Sequence, residues 1–479
     1  MSRPPVGESQ LTPFRFSFNR SVRLEDRDER LSSDAGALLV RELAEGLDLP
    51  ALFAGLRDPR RKSQCRHSLR ELLLTYLALL AQGYRDQDDA DRLRTDPAFR
   101  LAVSDRRGQS PLRKGASGPL ASQPTLSRLV RLLASDDHRA LLAAIPATLA
   151  CTRLTRQGWR RCDSLTVDLD SLAIEVHGRQ EGSAWNAYAR ATIYHPLVAS
   201  LGEQGDLLGL RLRGGTAHTA AGGLDFVIPI LERLERDVAD RVDLRIDAGF
   251  PSGDFLDALD ARGTRYVARL KGNARLSQLA APYLTRPRGR PPLEPRTWTV
   301  ELRYVAGSWS RDRRVVLVIQ EKPDQLFLDH FFLVTSWTRR EKPAAALLDH
   351  YRRRGKAEGH FGEFKDVLAP ALSSTRRPKS HYRGRQPRRR TESVDPMASN
   401  EVILLLHGIA YQLMHAGRCV QERVERQGVS LRRFRETVLK AGTRILLRAR
   451  RVTVVLGRAA AGLWRSWLRA WERMRPAPS

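Results

Sequence analysis

Three acidic residues stand where chemistry at a phosphate could be done. Asp170 ends the run Ser164-Leu-Thr-Val-Asp-Leu-Asp170, and Asp247 ends Leu244-Arg-Ile-Asp247. An acid at a strand end is held rigidly and projects from one edge of a sheet. The Ala248-Gly249 pair after Asp247 allows backbone or ligand to come close. The third acid, Glu358, has company: Tyr351, Arg354 and Lys365 lie seven and four residues before it and seven after it. On a helix these offsets return to nearly one face. Carboxylates suit Mg²⁺ or Mn²⁺, while cations and a phenol suit phosphate oxygens. Simpler readings stand beside this one. Either aspartate could be a turn former, and Arg354 with Glu358 could be a solvated i,i+4 pair.

The segments around these residues predict the elements that carry them. Residues 1–30 read as a flexible basic arm and residues 31–150 as a helical region, either a DNA-binding module whose arginines meet DNA or a scaffold that never touches it. Within that region Ser68 and Glu71 form a capping box ahead of the apolar stretch 69–81. From residue 164 the period changes to that of strands, at 164–170, 191–200 and 207–212. Then helix (224–238), strand (241–247), helix (254–262) and strand (265–270) alternate. A meander followed by that alternation is an α/β sheet with mixed strand directions. Residues 275–343 are β-rich, at 298–305, 314–320 and 331–335, and read as an inserted β subdomain. Residues 344–368 predict one continuous helix. The Arg-rich stretch 373–399 predicts a disordered loop, residues 400–415 a core helix, and 417–479 a basic helical C-terminal region.

Composition narrows the partner. The chain has 82 Lys+Arg against 54 Asp+Glu, a formal net charge of +28. Such a field draws in polyanions. No stretch is long enough to cross a bilayer and the first residues have no apolar signal core, which leaves nucleic acid in a cytoplasmic, nucleoid setting. The cysteines Cys65, Cys151, Cys162 and Cys419 form no C-x-x-C pair, so neither zinc nor a disulfide framework is expected.

The spacing Tyr351-x-x-Arg354-x-x-x-Glu358 with Lys365 resembles the signature of transposases of the IS4 group. The whole chain, over about residues 15–415, looks like the IS1380 group. Supporting pieces are residues 83–97, Ser122-Gln-Pro-Thr-Leu-Ser-Arg128, Asp168-Leu-Asp170 with His177-Gly178 and Gln180-Glu-Gly182, Tyr194-His-Pro-Leu197, Arg245-Ile-Asp-Ala-Gly-Phe250 and Ala410-Tyr-Gln-Leu413. The resemblance implies a ribonuclease-H-like core over 160–274 and 344–416. It implies that Asp170, Asp247 and Glu358 hold Mg²⁺ (or Mn²⁺) and that Tyr351, Arg354 and Lys365 hold DNA. It further implies that an aromatic of the β insertion, with Trp298 the candidate, stacks on a base. Leu172 stands where the group usually has Thr. Asp168 alternates with Asp170 and faces the same way, so it is the alternative first ligand, with the spacing to Leu172 favouring Asp170. The function implied is cleavage at element ends and strand transfer into target DNA by a homodimer assembled on terminal inverted repeats. The alternatives are a nuclease of the same fold and a decayed protein that only binds DNA.

Overall fold

The computed structural model describes residues 14–19, 21–24, 28–104, 111–112, 118–178, 180–290, 292–323, 325–374, 395–448 and 451–474. Its centre is an eight-stranded mixed sheet. In chain order the strands are β1 (Leu165–Ser171), β2 (Leu197–Leu201), β3 (Leu207–Arg211), β4 (Val242–Ile246), β5 (Tyr266–Leu270), β6 (Arg296–Tyr304), β7 (Arg313–Glu321) and β8 (Asp329–Thr335). Across the sheet they run β6-β7-β8-β5-β4-β1-β2-β3. Only β1, β4 and β5 are parallel to their mutual neighbours; every other pairing is antiparallel. The five strands β3-β2-β1-β4-β5 with their helices form a ribonuclease-H-like core. The β-rich stretch continues this sheet beyond β5 and does not make a sheet of its own. Val315, Leu317 and Ile319 face one core, and Val316 and Val318 face another, so β7 needs cover on both sides and finds it only within the large sheet.

The helices are α1 (Ala37–Gly46), α2 (Leu69–Ala81), α3 (Pro97–Val103), α4 (Gln123–Leu132), α5 (Asp136–Arg156), α6 (Gly223–Asp237), α7 (Gly253–Arg262), α8 (Ala344–Arg352), α9 (Gly355–Glu363), α10 (Pro396–Glu425) and α11 (Arg458–Glu472). Ser68 caps α2, accepting from the Glu71 backbone N–H at 3.0 Å. Helices α6 and α7 cover one face of the sheet, while α8 packs on the other beside Val267 and Leu333. The 30-residue α10 is buried on nearly all sides, as expected of a helix that is apolar all round. It joins the N-terminal helices, β3 and α11 in one core. No helix among the described residues is long and apolar enough to cross a membrane.

Four expectations change. The segment 344–368 is not one helix. It turns at Arg353 and Arg354, and after α9 it widens into a π turn at Phe364–Leu368. The C-terminal region is not wholly helical: β9 (Thr443–Arg448) and β10 (Arg451–Leu456) pair as a hairpin, and Leu31–Ser32 pairs with β9. The alternation of Val452, Val454 and Leu456 is a strand signal that the surrounding arginines obscure. Residues 191–200 break at Pro196, giving Ala191–Tyr194 and β2, because proline cannot supply a ladder donor. In the N-terminal arm, Phe14–Arg15 pairs with Arg23–Leu24; residues 1–13 lie outside the described residues. So do residues 375–394, the greater part of the Arg-rich loop, and α10 begins at Pro396, before that loop's expected end.

Candidate active site

Strand register brings the first two acids together. In the parallel pair β1–β4, Asp168 faces Arg245 and Leu169 faces Ile246. Two residues along the same face from Asp168 and Arg245 come Asp170 and Asp247, at the carboxyl ends of adjacent strands. Open α/β sheets place their ligands outside such strand ends.

The earlier pair of this face is closed. Arg245 donates to both carboxylate oxygens of Asp168, at 2.7 and 2.6 Å, and both side chains are buried. Burial pushes the Asp168 carboxyl up, against the pull of Arg245. Both its oxygens are thereby committed within the fold. Arg245 also donates to the His350 carbonyl at 2.8 Å, so it ties the end of α8 to the sheet. This positioning role of Asp168 and Arg245 was missed in the sequence. A signal was present: Asp168-Leu-Asp170 and Arg245-Ile-Asp247 share one spacing, with opposite charges at the first position.

The later pair is open, and Glu358 joins it. The Arg354 guanidinium contacts all three acids. Its Nη2 donates to Asp170 Oδ2, its Nη1 donates to Glu358 Oε1 at 3.0 Å, and Nη1 lies 4.0 Å from Asp247 Oδ1. Side-chain exposure rises from 16% at Asp170 to 43% at Asp247 and 64% at Glu358. The site is therefore a cleft with a buried floor and an open lip. Burial raises the Asp170 carboxyl to about 6; Arg354 and the Ser171 backbone N–H, which donates to it at 2.8 Å, work against this, and the charges of Asp247 and Glu358 add to it. Burial likewise pushes the Tyr351 phenol up to about 12, so it stays a neutral donor.

The helix that bears Glu358 is clamped at both ends. Arg245 holds the preceding helix at His350. At the other end Glu363 accepts from Arg418 of α10 and from the Leu431 backbone N–H at 3.0 Å. Phe361 and Phe364 are buried in the core that α10 shares.

The remaining candidates fall outside the cleft's centre. Lys365 is exposed in the π turn. Trp298 is half-buried against the core beneath the sheet, and Trp309 and Trp337 are buried. Gly249 does not make room for a ligand: a Cβ there would lie 2.6 Å from Thr219 Cγ2, so the glycine serves loop packing.

The family model described as Transposase DDE domain, group 1, matches residues 14–473. The chain belongs to the DDE transposase family. This DDE-family chain is also similar in structure to a piggyBac transposase, seen in a synaptic complex with hairpin DNA. Identity there is 12%, with 92% of this chain and 82% of that chain covered, at a TM-score of 0.40. No curated protein matches the chain.

Among the described residues no three His, Cys, Asp or Glu side chains already form a cage for a metal ion. The donor set nonetheless fits a hard divalent ion. All its ligating atoms are carboxylate oxygens, and the three acids already share one cation, the Arg354 guanidinium, which stands in for an ion.

Proposed function

We propose that this DDE transposase, of the IS1380 type, cleaves DNA at the ends of an insertion element and joins those ends to target DNA, dependent on Mg²⁺ with Mn²⁺ as a substitute. The observation that carries this reading is the convergence of Asp170, Asp247 and Glu358 on one guanidinium at the carboxyl edge of β1 and β4. The three acids would hold the metal. When bound, divalent ions lower the barrier to in-line displacement by activating the attacking oxygen and neutralising the leaving one.

The chain's own groups do the rest. Release of the acids frees Arg354 to bind a phosphate oxygen of the strand to be cut, as a guanidinium fork does. The Tyr351 phenol, held neutral by burial, donates to the same backbone. Lys365 reaches phosphates beyond the cleft. Water attacks phosphorus, the bond to the 3′ oxygen breaks as the new one forms, and a 3′-hydroxyl is left at the element end. That hydroxyl then attacks a target phosphate, and the 3′ oxygen bonded there leaves. In this reading the helices of residues 31–150 and the basic C-terminal region grip double-stranded DNA, and two copies of the chain hold the two terminal repeats. The reading places the protein on the nucleoid in the cytoplasm.

The test uses DNA carrying the sequences that flank this gene. Asp247→Ala and Glu358→Ala are expected to keep DNA binding and to lose Mg²⁺-dependent nicking by more than about a hundredfold, exceeding the loss on removing a group that merely supports a metal ligand. Nicking at the unmodified rate in either variant rejects the assignment. Nicking without end joining by the unmodified protein would make it a nuclease.

A further inference from the structure

Beyond Asp170 the β1–β2 ladder does not stop. Asp170 pairs with Val198 and Ser171 with Leu197, the Leu172 N–H donates to the Pro196 carbonyl at 2.9 Å, and Ile174 pairs with Tyr194. The ladder thus runs from the acidic cleft into a small three-stranded sheet, Ile174–Glu175 with Ala191–Tyr194 and Ala184–Asn186. The last two strands form a hairpin whose tip, residues 187–190, projects past the carboxyl edge of the large sheet.

The base of this hairpin is fixed. Tyr194 is buried, its hydroxyl donates to the Glu181 carbonyl at 2.5 Å and accepts from Asn400 of α10 at 3.2 Å. Gly215 packs so close that a Cβ would lie 2.3 Å from the Ile193 carbonyl oxygen. The tip is also shaped. Asn186 Oδ1 accepts from the Ala189 N–H at 2.9 Å, and Arg190 is held at φ 51°, a conformation costly for a bulky side chain.

What this rigid mount presents is two rings in water. Trp185 is 67% exposed and Tyr188 fully exposed. Of the chain's eight tryptophans, all of them among the described residues, only Trp185 is exposed. Folding gains nothing from rings left in solvent, since their stabilising value comes from burial. Around them stand Ala187, Ala189 and Arg190, all exposed. Two separate rings over small residues do not make the contiguous apolar patch of a protein-binding face. They do match the usual binding of unpaired nucleic acid, in which rings stack on bases and a cation meets the backbone. The net charge of +28 favours the same polyanion. At about 3.3 Å per residue, the ten residues from Val198 to Tyr188 span at most about 33 Å. That is within about one turn of a duplex laid along the edge.

We propose that the tip of the 184–194 hairpin binds single-stranded DNA beside the cleavage edge, with Trp185 and Tyr188 stacked on unpaired bases and Arg190 on a phosphate. The proposal rests on the reading that the chain acts on DNA, and the test separates the two.

Full-length protein is titrated with an oligothymidylate single strand and with a blunt duplex of equal length, at one salt concentration. Trp185→Ala and Tyr188→Ala are each expected to weaken single-strand binding about tenfold and to leave duplex binding within about twofold of the unmodified chain. Trp185→Phe should restore most of the loss. A strand carrying 2-aminopurine should be quenched by the unmodified chain and not by the double alanine variant. Both exposed positions can be changed without opening the core, which circular dichroism would verify. Single-strand affinity unchanged in the double variant overturns the proposal while leaving the duplex-cutting reading intact. So does unchanged affinity with loss of self-association by sedimentation, which would make the tip a contact between two copies. Binding of neither probe by the unmodified chain removes the DNA reading and this inference with it.

Discussion

Two clusters of acids and arginines in this molecule are built to opposite rules. At the turn between β2 and β3, Arg153 of α5 donates to both oxygens of Asp206, and Gln412 of α10 adds a third bond at 2.6 Å. Both charged side chains are buried, at 1% and 0% exposure. One carboxylate meets one guanidinium, and Gln412 and the buried His415 ring, 3.6 Å from Asp206 Oδ2, take up the rest of its surface. At the carboxyl edge of the same sheet three carboxylates meet one guanidinium, in a cleft that opens to water. The buried knot is balanced and satisfied, whereas the cleft carries two more negative charges than positive ones. Burying a pair is tolerated when it is matched and hydrogen-bonded. An acidic surplus left open to water can accept a cation from outside, and perturbed clusters of this kind are candidates for functional sites.

The first way to break this comparison is to unbalance the knot. Asp206→Ala leaves Arg153 charged and buried without its partner. We expect a loss of about 3–5 kcal/mol in urea unfolding, with the surviving folded fraction binding Mn²⁺ as before. The acid limb tests the same pair. Burial alone would raise the Asp206 carboxyl, but Arg153 overrides it and holds the group well below the usual carboxylate range. A depressed folded-state value gives stability that is whole above the unfolded aspartate value, near 4, and is lost as pH falls through the folded one. Asp206→Asn should therefore flatten the stability profile below about pH 4. An unchanged profile would mean the pair does not support the fold.

In the cleft the sign reverses. Asp170 is raised to about 6 by burial first and by its acidic neighbours after. Its ionised form therefore costs stability at neutral pH in the metal-free protein, and the cost is relieved as pH falls from about 6 toward the unfolded value near 4. We expect Asp170→Asn to stabilise the metal-free protein by about 1–3 kcal/mol at pH 7 and to abolish the gain in melting temperature that Mn²⁺ gives the unmodified chain. Asp168→Asn should spare the metal effect, because that carboxylate is committed to Arg245 and lies outside the cleft. Matching behaviour of the two variants would erase the distinction between the closed and the open pair.

The acidic cleft and the sheet that carries it are both partly readable in the sequence. Period-2 apolar runs that end in acid gave the positions of Asp170 and Asp247, and the alternating helices and strands that follow gave the mixed sheet. Alternation puts Asp168 and Asp170 on one face, and in the sequence only the spacing to Leu172 favours Asp170. Only the register of β1 against β4 hands Asp168 to Arg245. The Arg153–Asp206 knot was invisible for the same reason: its members are 53 residues apart and no local period links them. The break at Arg353 stands beside Gly355, a poor helix former, whose signal the helical spacing of Tyr351, Arg354 and Glu358 masks; the π turn at Phe364–Leu368 leaves no such local mark. In the sequence the small sheet before β2 runs into it, because the apolar stretch 191–200 continues through Pro196.

The guanidinium at the centre of the cleft sharpens the contrast further. In the proposed reading Arg354 competes with a metal ion for the same three carboxylates, whereas Arg153 competes with nothing. Arg354→Gln should raise Mn²⁺ affinity by up to about tenfold in calorimetry, the scale of one screened charge at contact distance, even as it weakens the grip on DNA. A fall in Mn²⁺ affinity would show the guanidinium to be a support of the metal site and not its rival.

Lys365 gives the smallest effect and the cleanest one. It is exposed in its π turn and takes part in no ion pair among the described residues, so its removal disturbs neither the knot nor the cleft. An exposed ammonium that meets a phosphate contributes through counterion release. Lys365→Ala should leave unfolding and Mn²⁺ binding unchanged. The slope of log K against log salt should shallow by about one unit, the signature of a single lost phosphate contact. If the slope is unchanged and nicking is lost instead, Lys365 works inside the cleft beside the three acids and not on an outer phosphate.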